Sequence, residues 1–158
     1  MAIESFFGDY RFLSNFWPCQ IEYEGLVYPS VENAYQASKT IDKSLRETFV
    51  TMTSGKAKRA GRDIERNDQT FRGLLEWKRI KLEVMRELTF KKYQNPELAK
   101  LLLDTGEQEL IEGNDWGDVF YGMCNGVGQN HLGKIIMEVR TSLRPKDNTK
   151  SDLMMEIL

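Results

Sequence analysis

The segment QIEYEGLVYPSVENAYQASKT, residues 20–40 of a 158-residue chain, decides the fold of this protein. Its first half carries Ile, Tyr and Val on both sides of a Glu–Gly pair. This pattern predicts a tight β-hairpin in which Gly25 has a positive φ. Pro29 ends the second strand, and the hydroxyl of Ser30 can cap a helix that continues to about residue 40. The segment therefore predicts a hairpin joined directly to a capped helix.

The remainder of the chain has mainly helical patterns. Between residues 71 and 93, apolar side chains recur at helical spacing on a stripe that begins at Leu74 and is widened by Leu75. Strands occur early and helices later, which favours an α+β class over a regular βαβ alternation. The predicted elements are strands 20–23, 26–28 and 109–112 and helices 30–40, 43–53, 56–66, 71–93, 97–103 and 130–143.

These patterns predict one mostly helical α+β domain with a small N-terminal β-hairpin or sheet, over residues 1–143. Residues 144–158 are predicted to form a tail, because RPKDNTKSD has the composition of a loop. The apolar end of this tail, residues 153–158, is expected to dock back on the domain or to meet a partner.

Composition excludes several classes of protein. With 41% apolar and 29% charged residues, the chain is expected to be globular rather than disordered. No apolar run approaches the ~20 residues of a membrane span, and the first residues do not form a secretory signal. Two cysteines, Cys19 and Cys124, are too few for a disulfide framework, so we expect a cytoplasmic protein. A net charge of −2 provides no overall basic excess for DNA binding.

The single histidine, His131, limits the possible chemistry. A zinc site of the usual kind would require His131, both cysteines and a carboxylate to converge. No G-x-S-x-G motif is present for a serine nucleophile. We therefore expect chemistry based on Asp, Glu, Lys, Tyr and Cys, without a metal or a cofactor.

One face of the capped helix combines groups that can bind a sugar and move protons. Glu32, Tyr35, Gln36 and Lys39 are spaced i, i+3, i+4 and i+7, which places them on one face within two turns. The alternative is an exposed face that carries an ordinary salt-bridged pair.

The segment EGNDWGDVFYG, residues 112–122, interleaves acids, amides, glycines and aromatics, a composition typical of ligand-binding loops. Trp116 is a candidate for stacking on a base. Asp118 is a candidate general base or water-orienting residue, and Asp115 is the competing carboxylate. The alternative is that these acids only cap turns.

Two further segments are candidates for phosphate binding. In SGKAKRAGRDIER, residues 54–66, Arg59, Arg62 and Arg66 follow one helical stripe with Lys58 beside them, and guanidinium groups bind phosphate through paired hydrogen bonds. GVGQNHLG, residues 126–133, opens the last helix, where free amides suit an anion. The alternatives are a solvated charged face for the first segment and a tightly packed glycine turn for the second.

Four segments, in this order, resemble the NADAR family, also called YbiA-like, and the likeness extends over residues 6–143. The family implies an α+β domain with N-glycosidase activity. Members hydrolyse the bond between ribose and base in early riboflavin-pathway intermediates, the aminouracil ribosyl phosphates, and others remove ADP-ribose from guanine in nucleic acid. The segments are RFLSNFWPCQIEYEGLVYPSVENAYQASKT, AKRAGR, LLEWKRIKLEVM and LIEGNDWGDVFYGMCNGVGQNHLGKIIMEVR.

The resemblance also implies site residues. The family's P-[ST]-x-E helix places its glutamate at Glu32, its Q-A-x-K segment places a lysine at Lys39, and its W-G-D loop supplies Asp118. Tyr121 departs from the pattern, because many members have a second tryptophan there, which signals a shifted substrate preference. The candidate catalytic residues are Glu32, Lys39 and Asp118, and the candidate substrate-binding residues are Asn15, Tyr35, Gln36, Arg62, Trp77 and Trp116.

Breaking a ribosyl C–N bond builds positive charge at the anomeric carbon and negative charge on the leaving base. A carboxylate can stabilise the former while a second group activates water or protonates the base, and such a site needs no metal. Glu32 and Asp118 can take either role. Lys39 can instead trap opened ribose as a Schiff base if burial lowers its pKa.

Two other classes of function remain as alternatives. The same pocket could bind ADP-ribose or an NAD derivative without turnover. Alternatively, the chain could be a protein–protein adaptor that docks through its tail. The expected partner is a small ribosylated molecule, with ADP-ribosylated nucleic acid as the wider case, and no membrane.

Overall fold

Helices form about half of the described chain, and one of its three two-stranded sheets joins segments that are distant in sequence. The computed structural model describes residues 1–145. The strands are β1 (Ala2–Ile3), β2 (Ile21–Tyr23), β3 (Leu26–Tyr28), β4 (Glu109–Leu110), β5 (Gly113–Asn114) and β6 (Met123–Cys124). The helices are α1 (Val31–Ala37), α2 (Lys43–Thr48), α3 (Ser54–Asn67), α4 (Leu74–Lys92), α5 (Pro96–Leu103) and α6 (His131–Leu143), and a 3₁₀ helix covers Gly8–Leu13.

The N-terminal hairpin and the helix cap are confirmed. Strands β2 and β3 pair antiparallel, and the turn between them has Glu24 at φ 47° and Gly25 at φ 84°. Two consecutive positive φ values match the twist of a two-residue hairpin. The Ser30 hydroxyl accepts a hydrogen bond from the Asn33 amide at 3.1 Å, which caps α1. The α+β class is therefore confirmed as well.

Several predicted boundaries are wrong, and two strand pairings were not predicted. The helix expected to reach residue 40 ends at Ala37, and the one expected to reach residue 53 ends at Thr48. Strand β4 stops at Leu110 and pairs parallel to β1, while β5 pairs parallel to β6. These strands are two residues long, so they carry no alternating pattern from which pairing could be predicted.

Helix α1 lies at the centre of the core. All seven of its residues are buried, and it packs against α3 and α4. On α4 the buried stripe begins at Trp77 rather than at Leu74, because Leu74 and Leu75 are exposed. The burial of α1 matters for function because it removes the one charged side chain of this helix, Glu32, from water.

Two further expectations concern the ends of the fold. The predicted docking segment, residues 153–158, and the tail from residue 146 onwards lie outside the described residues. Arg144 does lie within them, and it donates a hydrogen bond to the Gly106 carbonyl at 2.7 Å. Among residues 1–145, no helix is long and apolar enough to cross a membrane.

Candidate functional site

A cavity of about 550 Å³ collects most of the predicted site residues, and we name it the catalytic cavity after the candidate catalytic residues Glu32 and Asp118 that line it. Its size is within the range of small-ligand pockets. Glu32, Tyr35 and Gln36 come from α1, and Ser14, Asn15 and Phe16 come from the N-terminal segment. Lys58, Arg59 and Arg62 come from α3, and Glu112, Trp116, Asp118 and Tyr121 come from the loop region after β4.

Glu32 is held in the buried first turn of α1. Its amide donates to the Asn15 carbonyl at 3.1 Å, and its Oε1 accepts a hydrogen bond from Gln36 Nε2 at 2.8 Å. Burial raises the pKa of the Glu32 carboxyl, while the Gln36 hydrogen bond and the charges of Lys58 and Lys39 oppose this rise. The alternative interpretation, an exposed face with an ordinary salt-bridged pair, is therefore not what the structure contains at Glu32.

Gln36 explains why α3 has a glycine where the two helices meet. A Cβ atom built at Gly61 would lie 1.9 Å from Gln36 Oε1, so any larger residue would displace this amide. Gln36 Oε1 is buried and has no hydrogen-bond partner among residues 1–145. The amide of Gln36 is thus oriented by its bond to Glu32 and by close packing.

Asn114 fastens the loop that carries Asp118. Its Nδ2 donates to the Asp118 carbonyl at 2.8 Å and its Oδ1 accepts from the Asp118 amide at 3.0 Å. Asp118 Oδ1 in turn accepts from the amides of Phe120 and Tyr121 at 3.1 and 3.0 Å. Asp118 therefore caps a turn, as the alternative interpretation expected, and it also lines the catalytic cavity.

Glu112 is a site carboxylate that the sequence analysis missed. It lines the catalytic cavity, and its Oε2 is buried without a hydrogen-bond partner among the described residues. Burial and the nearby charges of Asp118 and Glu32 raise the pKa of Glu112 to about 8, against the lowering effect of Lys58. The available signal was its position two residues after buried Leu110, which places both side chains on one side of extended chain.

Helix α3 contributes a cationic wall: Lys58, Arg59 and Arg62. Within residues 1–145, none of these three side chains has a carboxylate within 4.0 Å. The Lys58 ammonium lies 5.1 Å from the centre of the Trp116 ring. Arg66, the last residue of the predicted stripe, does not line the cavity.

Lys39 and Trp77 lie outside the lining of the catalytic cavity. Lys39 Nζ is 2.5 Å from Glu65 Oε1 and 5.9 Å from the Trp77 ring centre. Trp77 is 3% exposed, and its ring centre lies 5.1 Å from that of Tyr35. Trp77 thus packs behind Tyr35 rather than facing a ligand. Both predicted roles, catalytic for Lys39 and substrate-binding for Trp77, stay predictions.

Tyr35 and Tyr121 join the two walls of the site. Their hydroxyl oxygens are 2.7 Å apart, and the rings meet edge to face with centres 5.6 Å apart. Burial raises the pKa of both hydroxyls, so both stay protonated near neutral pH. The tyrosine at position 121 therefore forms a hydrogen bond with Tyr35, and both residues line the catalytic cavity.

The glycine-rich segment before α6 packs tightly, as its alternative interpretation expected. The amides of His131 and Leu132 donate to the carbonyls of Phe120 and Tyr121, so they are not free for a phosphate. A Cβ atom at Gly133 would lie 2.1 Å from the Leu110 carbonyl oxygen. The phosphate-binding prediction for this segment is therefore wrong at these two amides.

Known proteins match most of the chain. The NADAR domain family model matches residues 5–144. A riboflavin biosynthesis protein of Vibrio vulnificus is 37% identical over 139 residues, which are 86% of this chain and 36% of that protein, so the chain spans about a third of this relative. The N-glycosidase YbiA of Escherichia coli is 34% identical over 141 residues, 85% of this chain and 82% of that protein.

A solved structure agrees with the fold. The NMR structure of E. coli YbiA has a TM-score of 0.75 and 33% sequence identity to this chain, and the match covers 90% of this chain and 83% of that one. An N-glycosidase of Nostoc punctiforme is 32% identical over 141 residues, covering 85% of this chain and 86% of its own length. By sequence and by fold, the chain belongs to the NADAR family.

Proposed function

We propose that this chain is an N-glycosidase that hydrolyses the ribose–base C–N bond of a phosphorylated ribosyl substrate. One observation carries the proposal: a single cavity is lined by three carboxylates, Glu32, Glu112 and Asp118, together with the three cations of α3. The names of the relatives from E. coli and N. punctiforme support the reaction class.

Glu112 is the group best suited to protonate the leaving base. With a pKa of about 8, it keeps its proton at neutral pH. A carboxylic acid that is protonated near neutral pH can act as a general acid, and such a group contributes ~10²–10⁴-fold in rate. Its buried Oε2 has no hydrogen-bond partner among the described residues, so no donor stabilises the ionised form of the carboxyl at this atom.

In this proposal Glu32 stabilises the positive charge on the sugar and then accepts a proton from water. The Gln36 hydrogen bond and the Lys58 and Lys39 charges oppose the rise that burial causes in the pKa of Glu32, whereas only Lys58 opposes the corresponding rise at Glu112. As the C–N bond breaks, the base nitrogen receives the proton of Glu112, and the positive anomeric carbon is stabilised by Glu32 and Asp118. Water then forms the new C–O bond and gives its proton to Glu32, and proton return to Glu112 completes the cycle.

The three cations of α3 bind the phosphate of the substrate in this proposal. A 5′-phosphate fits the wall best, because Arg59 and Arg62 can donate paired hydrogen bonds and Lys58 adds a point charge. The riboflavin name of the Vibrio relative favours an aminouracil ribosyl phosphate. An ADP-ribosyl group on guanine, free or in nucleic acid, is the wider candidate, and its pyrophosphate would use the same wall.

Lys39 acts through Glu32 in this mechanism rather than on the sugar. Its ammonium is paired with Glu65, and it lies outside the cavity lining, so a Schiff base would require it to leave Glu65. From its present position, its charge helps Glu32 to ionise. We therefore place Lys39 as a positioning residue for the aminouracil substrate.

In the direct test, purified protein is incubated with an aminouracil ribosyl phosphate and, separately, with ADP-ribosylated guanine DNA. Chromatography then detects free base from the first and ADP-ribose from the second. We expect free aminouracil, with a loss of at least ~100-fold in Glu112→Gln. Asp104→Asn is the matched control, because Asp104 is exposed and does not line this cavity. No product from either substrate would contradict the proposed function.

A further inference from the structure

Two exposed aromatic rings, those of Phe16 and Trp116, line the catalytic cavity together with Lys58. Phe16 is 43% exposed and Trp116 is 54% exposed, so neither ring serves to fill the core. The Lys58 ammonium lies 5.9 Å from the centre of the Phe16 ring and 5.1 Å from that of the Trp116 ring. Asp115, the residue before Trp116, lines a neighbouring cavity and not the catalytic one. One cation therefore lies beside two rings from distant segments of the chain.

Hydrogen bonds of the main chain hold the segments that carry these rings. The Phe16 amide donates to the Ser14 hydroxyl at 3.1 Å. Trp116 lies inside the turn that is closed by the two hydrogen bonds between Asn114 and Asp118. Both rings are thus positioned by local backbone structure, and part of the surface of each is open to a ligand.

Lys58 is held only weakly at these rings. It forms no ion pair with another residue of the range 1–145, and a cation–π contact outside a fully desolvated site contributes little. Its charge opposes the rise in the pKa of both Glu32 and Glu112, so the ammonium also lies near these carboxyls. The two rings are therefore close to the groups on which the proposed chemistry depends.

We propose that Phe16 and Trp116 form a clamp that stacks on the heterocyclic base of the substrate, and that Lys58 occupies this clamp until the base displaces it. Stacking on aromatic side chains suits any base, because every base has a π-face. The displaced ammonium then joins the two arginines of α3 at the phosphate, and base, ribose and phosphate share one cavity. This inference rests on the proposed function and adds Phe16 as a base-binding residue.

Displacement of Lys58 affects the two glutamates differently. At Glu112, Lys58 provides the one charge that opposes the rise in pKa, so its departure strengthens the hold of this carboxyl on its proton. Glu32 keeps the hydrogen bond from Gln36 and the charge of Lys39, which both favour its ionised form. Entry of the base therefore prepares Glu112 to donate a proton and leaves Glu32 better able to carry a charge.

Binding of the free base tests the clamp without turnover. Chemical-shift titrations with 5-aminouracil are recorded on wild type, Phe16→Leu, Trp116→Leu and Lys58→Ala. We expect the affinity to fall about tenfold in Phe16→Leu and in Trp116→Leu, because each variant loses one stacking contact. In Lys58→Ala the affinity for 5-aminouracil should rise about two- to fivefold, because no cation has to be displaced. The affinity of Lys58→Ala for ribose 5-phosphate should fall.

Two further variants serve as controls. Phe16→Tyr keeps an aromatic ring and should bind 5-aminouracil within twofold of wild type. Tyr10→Leu removes an exposed ring that does not line the cavity and should have no effect on this affinity.

The inference is overturned if Phe16→Leu leaves the affinity for 5-aminouracil within twofold of wild type. It is also overturned if Lys58→Ala weakens binding of the base, since the cation would then hold the base rather than give way to it. The expected pattern of affinities, without any base release from a ribosylated substrate, would support the clamp and contradict only the proposed activity.

Discussion

Lys92 is buried and Glu112 is partly buried, and in each case burial shifts the pKa of the side chain towards its neutral form, yet the two residues lie in different surroundings. Glu112 lines the catalytic cavity, its buried Oε2 has no hydrogen-bond partner among the described residues, and its pKa is raised to about 8. Lys92 lies behind the cavity wall, where its ammonium donates to the Ser14 carbonyl at 2.8 Å and its pKa is lowered to about 7. Thus a shifted pKa marks burial, and what the group faces decides whether it can perform chemistry.

The largest difference between the cavity lining and the core behind it is expected in the rate of turnover. Glu32→Gln removes a charge that faces the cavity, so kcat/KM should fall ~10²–10⁴-fold while the fold is kept. Lys92→Met replaces a side chain that faces only the core, and we expect a fall of less than about tenfold. Steady-state kinetics with the aminouracil substrate, with circular dichroism to check folding, measures both. Glu32→Gln within threefold of wild type would remove Glu32 from the chemistry.

Features set by local sequence could be predicted, whereas features set by contacts between distant segments could not. The hairpin turn at Gly25, the cap at Ser30 and the carboxylate at Glu32 depend on local patterns, so they were predictable. Lys39 was placed on the same helix face by i+7 spacing, but α1 ends at Ala37, and beyond that residue helical spacing no longer orients a side chain. Glu112 was missed because its burial depends on contacts distant in sequence.

A smaller effect is expected at Lys39. Lys39→Arg keeps the positive charge near Glu32 and its pairing with Glu65, so activity on the aminouracil substrate should fall by no more than about tenfold. Borohydride added during turnover should leave the Lys39 peptide unmodified by mass spectrometry. A reduced sugar adduct on Lys39, together with complete loss of activity in Lys39→Arg, would establish the Schiff-base route instead.

The pH dependence of stability should have opposite signs for Glu112 and Lys92. Protonation of Glu112 stabilises the fold below its ordinary pKa of 4.5, and this contribution is lost as the pH rises to about 8. The folded state disfavours the charged form of Lys92, so that contribution to stability grows as the pH rises from about 7 to 10.5. Each group changes the free energy of unfolding by at most ~1.4 kcal/mol per pH unit.

Urea denaturation at pH 5, 7, 8.5 and 10 measures these slopes. Relative to wild type, Glu112→Gln should be increasingly stabilised between pH 5 and 8, and Lys92→Met should lose its relative advantage between pH 7 and 10. Parallel stability curves for wild type and Glu112→Gln would mean that the Glu112 carboxyl is not shifted by burial.

The smallest effect is expected from chelation. Among residues 1–145, no group of three or more His, Cys, Asp and Glu side chains is arranged to hold a metal ion. The proposed chemistry uses Glu32, Glu112 and Asp118 directly, so activity after exhaustive dialysis against EDTA should stay within twofold of the untreated protein. Activity that is lost on chelation and restored by a divalent cation would contradict the metal-free mechanism.

The central claim is that Glu112 gives its proton to the leaving base, and a change of leaving group tests it most directly. The kcat/KM of wild type and Glu112→Gln is compared on an aminouracil ribosyl phosphate and on p-nitrophenyl ribosyl phosphate, whose leaving group needs no proton. We predict a loss of at least ~100-fold on the first substrate and less than about tenfold on the second. Equal losses on both substrates would contradict the assignment of Glu112 as the general acid.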